Sequence, residues 1–443
     1  MKLSLTKLSL SALLVCAAWP LAILSAQGIS SNDAGRVKGM LKDTYEAIKK
    51  NYYDPTLQGL DWDARYQEYR DKVDAAPSLG AGVGVVAGFV DGLKDSHTYF
   101  QPPSWSKRVD YGYSVGIVGD APYVLKVRPG SDAASKLQPG DRILGLNGNQ
   151  INRESFVRMQ YILHLLSPQI TTTVAVRAPN GQEREEVVES TVTNGRALME
   201  LGGSGTSILL NDLVRDMESA EYENRQRSVE MGDILIWRMP SFMVEPSDID
   251  STISMAREHK TLILDLRGNP GGYVETLKRL VGSVFGENQM IGTRLTRKGR
   301  SRLSAPTRGD RAFTGRLIVL IDSASGSSAE LFARVVQLEG RGEVLGDRSA
   351  GAVREARFFP FFQGTEVIIT YGASVTSADL LMRDGVSLEG IGVTPDTVLL
   401  PTGEDLAAGR DPVMSHAAQL AGVALDPVAA ARLFQEKRRA GGW

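Results

Sequence analysis

A chain of 443 residues is too long for one small core, which sets an expectation of two or three domains. Its 50 Lys and Arg stand against 52 Asp and Glu, a net charge of −2 that supplies no strong field for nucleic acid. The sole cysteine, Cys16, excludes a disulfide framework.

In chain order, the first element reads as a targeting segment. Lys2 and Lys7 lead into an apolar run from Leu8 to Leu24, and small Ser25 and Ala26 follow, the pattern of a secretory signal over 1–27. An uncleaved membrane anchor is the alternative. Against it, Ser9, Ser11 and Pro20 dilute the run, which falls short of the ~20 residues a span needs. Val15 makes "LLVC" a poor lipobox, since a small residue is wanted there. The mature chain is therefore expected to be exported, periplasmic or extracellular, with no stable membrane span and no cysteine.

Residues 28–108 read as a helical domain. Val37, Met40, Leu41, Tyr45 and Ile48 recur at three- and four-residue spacing. A second helix is expected in "LDWDARYQEYRDKV", and Pro102 and Pro103 end the segment after "GLKDSHTYFQPP". Residues 109–195 change to short strands, a short helix around Ala133 to Lys136, and Gly-Asp and Asn-Gly turns. Here "PGSDAASKLQPGDRILGLNG" resembles a PDZ domain passing from its helix into a strand pair. The resemblance implies that Tyr113, Ser114, Val115 and Gly116 bind an extended peptide by strand addition, with amides capturing a free C-terminal carboxylate. A small β domain with only a packing role is the alternative.

Residues 196–405 read as α/β. "TLILDL" leads through "RGNPGG" to "YVETLKRLVGSVF", and "LIVLID" leads through "SASGSS" to "AELFARVVQL". Strand, tight turn and helix, twice over, predict βα units of a largely parallel sheet. Residues 406–443, with a weak helical pattern, read as a peripheral tail.

The chemistry is expected at those two turns. The first amides of a helix lack partners and point outward, so paired turns suit a developing oxyanion. Gly271 and Gly272 permit close backbone approach, and Ser327 enters the second helix with the Ser328 amide behind it. A serine at that place also serves as a helix N-cap. No cluster has metal-ligand spacing, and "GRGEVLG" lacks the Gly-Lys-Ser/Thr of a phosphate loop, so no cofactor is expected.

"ILDLRGNPGG", "IDSASGSSAE" and "GRGEVLGDRSAGA", in that order, resemble the C-terminal-processing and tricorn-core serine peptidases. The resemblance covers about 35 to 400 and implies a ClpP/crotonase-like α/β catalytic domain with an inserted PDZ domain. It places the nucleophile on Ser327 of "S-x-x-E", which Glu330 ends. The processing branch pairs that serine with a lysine, but the matching position is Ala352, and the only lysine beyond Ser327 is Lys437. The tricorn-type branch uses serine, histidine, glutamate and an auxiliary serine. "KDSHT" supplies Ser96 and His97, and "SLEGIGVTPD" supplies Glu389. The set implies that His97 takes the Ser327 proton while Glu389 orients the imidazole, directly or through Ser96. Gly271 and Ser328 are the expected oxyanion donors, with Gly272 a near alternative. His164, His259 and His416 have no comparable context. The expected function is that of an exported serine endopeptidase acting on polypeptides. The rival class is a non-catalytic protein binding peptides or apolar ligands on the same scaffold.

Overall fold

The computed structural model describes residues 29–103, 107–194, 225–364 and 368–434, so the signal segment and Lys437 lie outside the described residues. Three helices come first: α1 (Ser31–Asn51), α2 (Trp62–Asp74) and α3 (Leu79–Asp91). Ser30, Asp61 and Ser78 cap them by accepting the amides of Asp33, Ala64 and Ala81, which satisfies one orphan donor at each start. Val37, Met40, Leu41 and Ile48 are buried along one face of α1, as their spacing predicts. Strand β1 (Tyr99–Gln101) follows. The helices bury Phe89 and Phe100 in one cluster with Tyr371, Ala373 and Val375 from far along the chain.

A β body comes next. Strands β2 (Lys107–Asp110), β3 (Tyr113–Val118), β4 (Ala121–Val127), β5 (Arg142–Leu146), β6 (Asn149–Gln150), β7 (Thr171–Arg177), β8 (Glu183–Glu189) and β9 (Thr191–Asn194) pair antiparallel throughout. The main sheet runs β3-β4-β5-β7-β8, leaving β3 on an edge among the described residues. Helix α4 (Arg153–Tyr161), capped by Asn152, lies between β6 and β7 in the chain.

The α/β body holds β10 (Arg227–Met231), β11 (Ile234–Arg238), α5 (Pro246–Ala256), β12 (Thr261–Asp265), α6 (Val274–Val284), β13 (Gln289–Thr296), β14 (Gly299–Ala305), β15 (Arg316–Ile321), α7 (Ser328–Leu338) and β16 (Glu343–Gly346). It continues through β17 (Glu355–Gln363), β18 (Ile369–Met382) and β19 (Thr397–Val398) to α8 (Gly403–Ala407), α9 (Pro412–Leu420) and α10 (Pro427–Arg432). One sheet runs β10-β11-β12-β15-β16-β19, parallel from β11 onward. The other joins β1, β17, β13 and β14 around β18, all antiparallel.

The parallel strands are continuous apolar runs because both faces are covered. Trp237, Leu262, Leu264 and Val319 pack under α5, α6 and α7. On the other face Ile234, Ile236, Ile263, Ile318 and Leu345 pack against Val413, Met414, Ala417 and Ala430. That corrects the peripheral tail: through residue 434 the C-terminal segment is one layer of the core. Its helices are short and their buried faces partly alanine, which blurs the periodicity in sequence. Val413 and Met414 are 3% and 1% exposed, and burying such a side chain contributes ~1.5–3 kcal/mol each. No helix among the described residues is long and apolar enough to cross a membrane.

Candidate active site

The loop after β12 is fastened from two sides. Arg267 makes paired hydrogen bonds of 2.8–2.9 Å to Asp265 and Asp411, tying the loop to the start of α9. Asn269 donates Nδ2 to the Met239 carbonyl at 2.7 Å and accepts the Gly271 amide on Oδ1 at 2.8 Å. Gly271, at φ +99°, lies so close to the second turn that a Cβ there would stand 2.5 Å from Ser327 Cβ and 2.9 Å from the Ser328 nitrogen. Only glycine admits that approach.

The serines after β15 have separate tasks. Ser323 donates to the Ile117 carbonyl of β3 at 2.6 Å. Ser325, fully buried, accepts the Asp322 amide at 2.9 Å and donates to the Leu266 carbonyl at 2.8 Å. Ser328 donates its hydroxyl to the Gly272 carbonyl at 3.1 Å. Ser327 occupies the N-cap position of α7 at φ +51° and ψ −119°, a strained conformation for a side-chain-bearing residue. Its hydroxyl donates no hydrogen bond among the described residues, and the Ser328 and Gly272 amides likewise donate none. The Gly271 amide, by contrast, is already committed to Asn269.

What holds Ser327 in that conformation is Glu330. Its Oε2 accepts the Ser327 amide at 3.0 Å and the Ala352 amide at 2.9 Å. Its Oε1 accepts the Ser349 hydroxyl at 2.6 Å and the Gly351 amide at 2.7 Å. Burial pushes its carboxyl above the usual range, and these four donors oppose that shift by stabilising the charged form. The Ser327 amide is shared with the Ala352 carbonyl at 2.8 Å, so Ala352 meets the Ser327 turn through its backbone. Glu330→Gln would leave two donors facing an NH₂ group, each costing ~1–3 kcal/mol. It should lower stability by on the order of 2–6 kcal/mol in urea unfolding. An unchanged midpoint would show that Glu330 does not fasten the turn.

Ser96, His97 and Glu389 are brought together, though not in the expected pattern. Ser96 Oγ lies 2.6 Å from His97 Nδ1. Glu389 Oε1 accepts the Ser96 backbone amide, not its hydroxyl, at 2.9 Å, and Oε2 accepts the Val353 amide at 3.1 Å. Val353 follows Ala352, so one short segment touches both the Ser327 turn and Glu389. No hydrogen bond joins Ser327 to His97 among the described residues. Burial holds the half-buried His97 imidazole below its ordinary pKa, opposed by the fields of Glu389 and Asp95 and reinforced by Arg354. No motif or spacing in the sequence marks Asp95, Asn269 or Arg354 for a role. For Glu330 a signal was available, since S-x-x-E is the pattern of a helix capping box.

Tyr113, Ser114, Val115 and Gly116 lie on edge strand β3. Just before it, the Gly112 amide is donated to Asp110 Oδ1 at 2.9 Å. The far end of β3 is bound to the α/β body. The Gly119 amide donates to Asp347 Oδ2 at 2.9 Å, and Arg153 donates to the Arg348 carbonyl at 2.6 Å.

Residues 233–399 match the model of peptidase family S41, and residues 36–78 match that of the tricorn protease C1 domain. The carboxy-terminal-processing protease of Bartonella bacilliformis is 27% identical over 163 residues, 35% of this chain and 36% of that protein. Tricorn protease homolog 1 of Streptomyces coelicolor is 24% identical over 423 residues, 89% of this chain and 36% of that one. The chain thus spans little more than a third of the length of either relative. The crystal structure of mature CPAF shares the fold, with a TM-score of 0.64 at 17% identity over 85% of this chain and 95% of that one. Residues 233–399 are accordingly a peptidase family S41 domain, carried on one chain with a tricorn C1 segment at 36–78.

Proposed function

We propose that this chain is an exported serine endopeptidase in which a ClpP/crotonase-like domain does the chemistry and the β body is a PDZ domain. The observation that carries the reading is Ser327 itself: a strained, half-buried serine whose hydroxyl donates to nothing among the described residues, next to amides at Ser328 and Gly272 that are likewise unused there. In this reading Ser327 Oγ attacks the scissile carbonyl, and His97 Nε2 takes its proton. That requires the tautomer with hydrogen on Nδ1, donated to Ser96 Oγ. The Ser328 and Gly272 amides receive the oxyanion, Gly272 in place of Gly271 because the Gly271 amide is held by Asn269. The imidazolium then protonates the leaving amine, and water hydrolyses the acyl-enzyme with His97 again as base. Substrate docking closes the gap between Ser327 and His97, since such bonds commonly tighten only in the complex.

A fluorophosphonate probe tests this directly: the adduct should form on Ser327, mapped by peptide mass analysis. The rival reading, a binding protein without catalysis, draws on the missing Ser327–His97 hydrogen bond and requires the protein to be inert to the probe.

The β3 edge supports a second element of the reading, capture of a free C-terminus. Amidating the C-terminus of a long, apolar-ended substrate should raise KM about tenfold, ~1.4 kcal/mol, because charge-assisted bonds to the carboxylate are lost. Equal KM for acid and amide would remove carboxylate capture and leave β3 a packing strand.

A further inference from the structure

We propose that Arg354 is the positioning residue of this site, a buried guanidinium that ties Asp95 to Glu389 and so holds the Ser96–His97 pair against segment 352–354. The proposal rests on the serine-peptidase reading and names what keeps its base in place. The amides of three consecutive residues land on these two carboxylates. Ser96 donates to Glu389 Oε1 at 2.9 Å, while His97 and Thr98 donate to Asp95 Oδ1 at 2.9 and 3.0 Å. Arg354 lies between the acceptors, with Nη1 2.7 Å from Asp95 Oδ2 and 3.9 Å from Glu389 Oε1.

The surroundings leave little freedom. The Asp95 side chain is fully buried, and the Arg354 and Glu389 side chains are each 10% exposed. From α1 and the residues after it, Tyr52 donates to Asp95 Oδ2 at 2.8 Å. The Arg354 Nη2 approaches the Tyr53 hydroxyl at 3.2 Å, and its guanidinium stands 5.1 Å from the Tyr53 ring centre. From β18, Thr376 donates to Asp95 Oδ1 at 2.6 Å and Asp379 lies 3.6 Å from Arg354 Nη2. Three buried carboxylates thus share one cation. Without it, three buried carboxylates would be left without their counter-charge, and one would turn out to water. That movement releases amides that shape the turn under the imidazole.

The charged groups facing His97 are Asp95 on its own segment, Glu389 from the loop after β18, and Arg354 just before β17. Removing the cation strengthens the net negative field and admits water, and both favour the imidazolium.

The experiment follows the His97 imidazole by NMR in the full chain with Ser327→Ala, resonances assigned with His97→Gln. Arg354→Gln should raise the His97 titration midpoint by about one pH unit, Arg354→Lys should raise it less, and Asp95→Asn should lower it. With Ser327 intact, Arg354→Gln should reduce kcat about 10²-fold with KM within about threefold, and Arg354→Lys should recover about tenfold. An unmoved midpoint in folded Arg354→Gln overturns the proposal. So does a lysine variant no better than the glutamine one, or a kcat that falls only with the folded fraction. If Arg354→Gln does not fold, Arg354→Lys and Asp95→Asn decide, and midpoints that fail to move in opposite directions overturn it. A wild-type chain that neither hydrolyses peptide nor reacts with the probe sinks the peptidase reading, while the His97 midpoint still decides on Arg354.

Discussion

Ser327→Ala should abolish peptide hydrolysis and probe labelling while leaving the thermal unfolding midpoint within a few degrees of wild type. The expected loss is at least 10⁴-fold in kcat, the scale seen when a serine nucleophile is removed and only binding and oxyanion stabilisation remain. Little stability should go with it, because the hydroxyl donates to no group among the described residues and the Ser327 amide keeps its bonds to Glu330 and Ala352. Alanine at φ +51° bears much the same strain as serine. The neighbouring serines are the controls. Ser323→Ala removes one bond to Ile117 and should retain most activity. Ser325→Ala leaves the Asp322 amide and Leu266 carbonyl without their partner, so it should cost stability before it costs chemistry. Wild-type turnover by Ser327→Ala would end the assignment.

The second large effect concerns the base. His97→Ala should lower kcat on the order of 10³-fold or more, as expected when a triad member is lost. The pH profile carries the sign. A base must be neutral to accept a proton, so kcat/KM rises with pH through the pKa of His97 in the free enzyme. Burial holds that pKa below the ordinary ~6.5, so the midpoint of the rise should fall on the acid side of the free imidazole and be followed by a plateau. A lysine base would rise later, even with its pKa lowered by burial. Ser96→Ala should cost more than Glu389→Gln, because the Ser96 hydroxyl touches Nδ1 whereas Glu389 reaches only the Ser96 amide. Lys437→Ala should cost nothing. An active His97→Ala enzyme would sink the triad, and an inactive Lys437→Ala enzyme would restore lysine as the base.

Much of the architecture was legible because its signals are local. The continuous runs "TLILDL" and "LIVLID" became β12 and β15, buried on both faces, and the small-residue turns after them became the two facing loops. The α1 face was legible because its apolar side chains recur at helical spacing. The C-terminal helices were not, because short segments carry too few turns to display a period, and alanine packs against a sheet without marking itself as core.

The sequence by itself determined the candidates offered for chemistry: a serine in an S-x-x-E pattern, a histidine beside Ser96, and no lysine between Ser327 and Lys437. Only the tertiary structure decided how they are connected. Whether Gly271 or Gly272 offers a free amide depends on backbone torsions and on the Asn269 side chain, and neither is written in residue order. Whether Glu389 meets the Ser96 hydroxyl or its amide depends on a loop closing across 293 positions. Arg354 reaches Asp95 across 259 positions, and no pattern of local spacing could place a cation among those carboxylates. A charge acquires its role from what the fold buries it beside, because burial removes the water that would otherwise screen and solvate it.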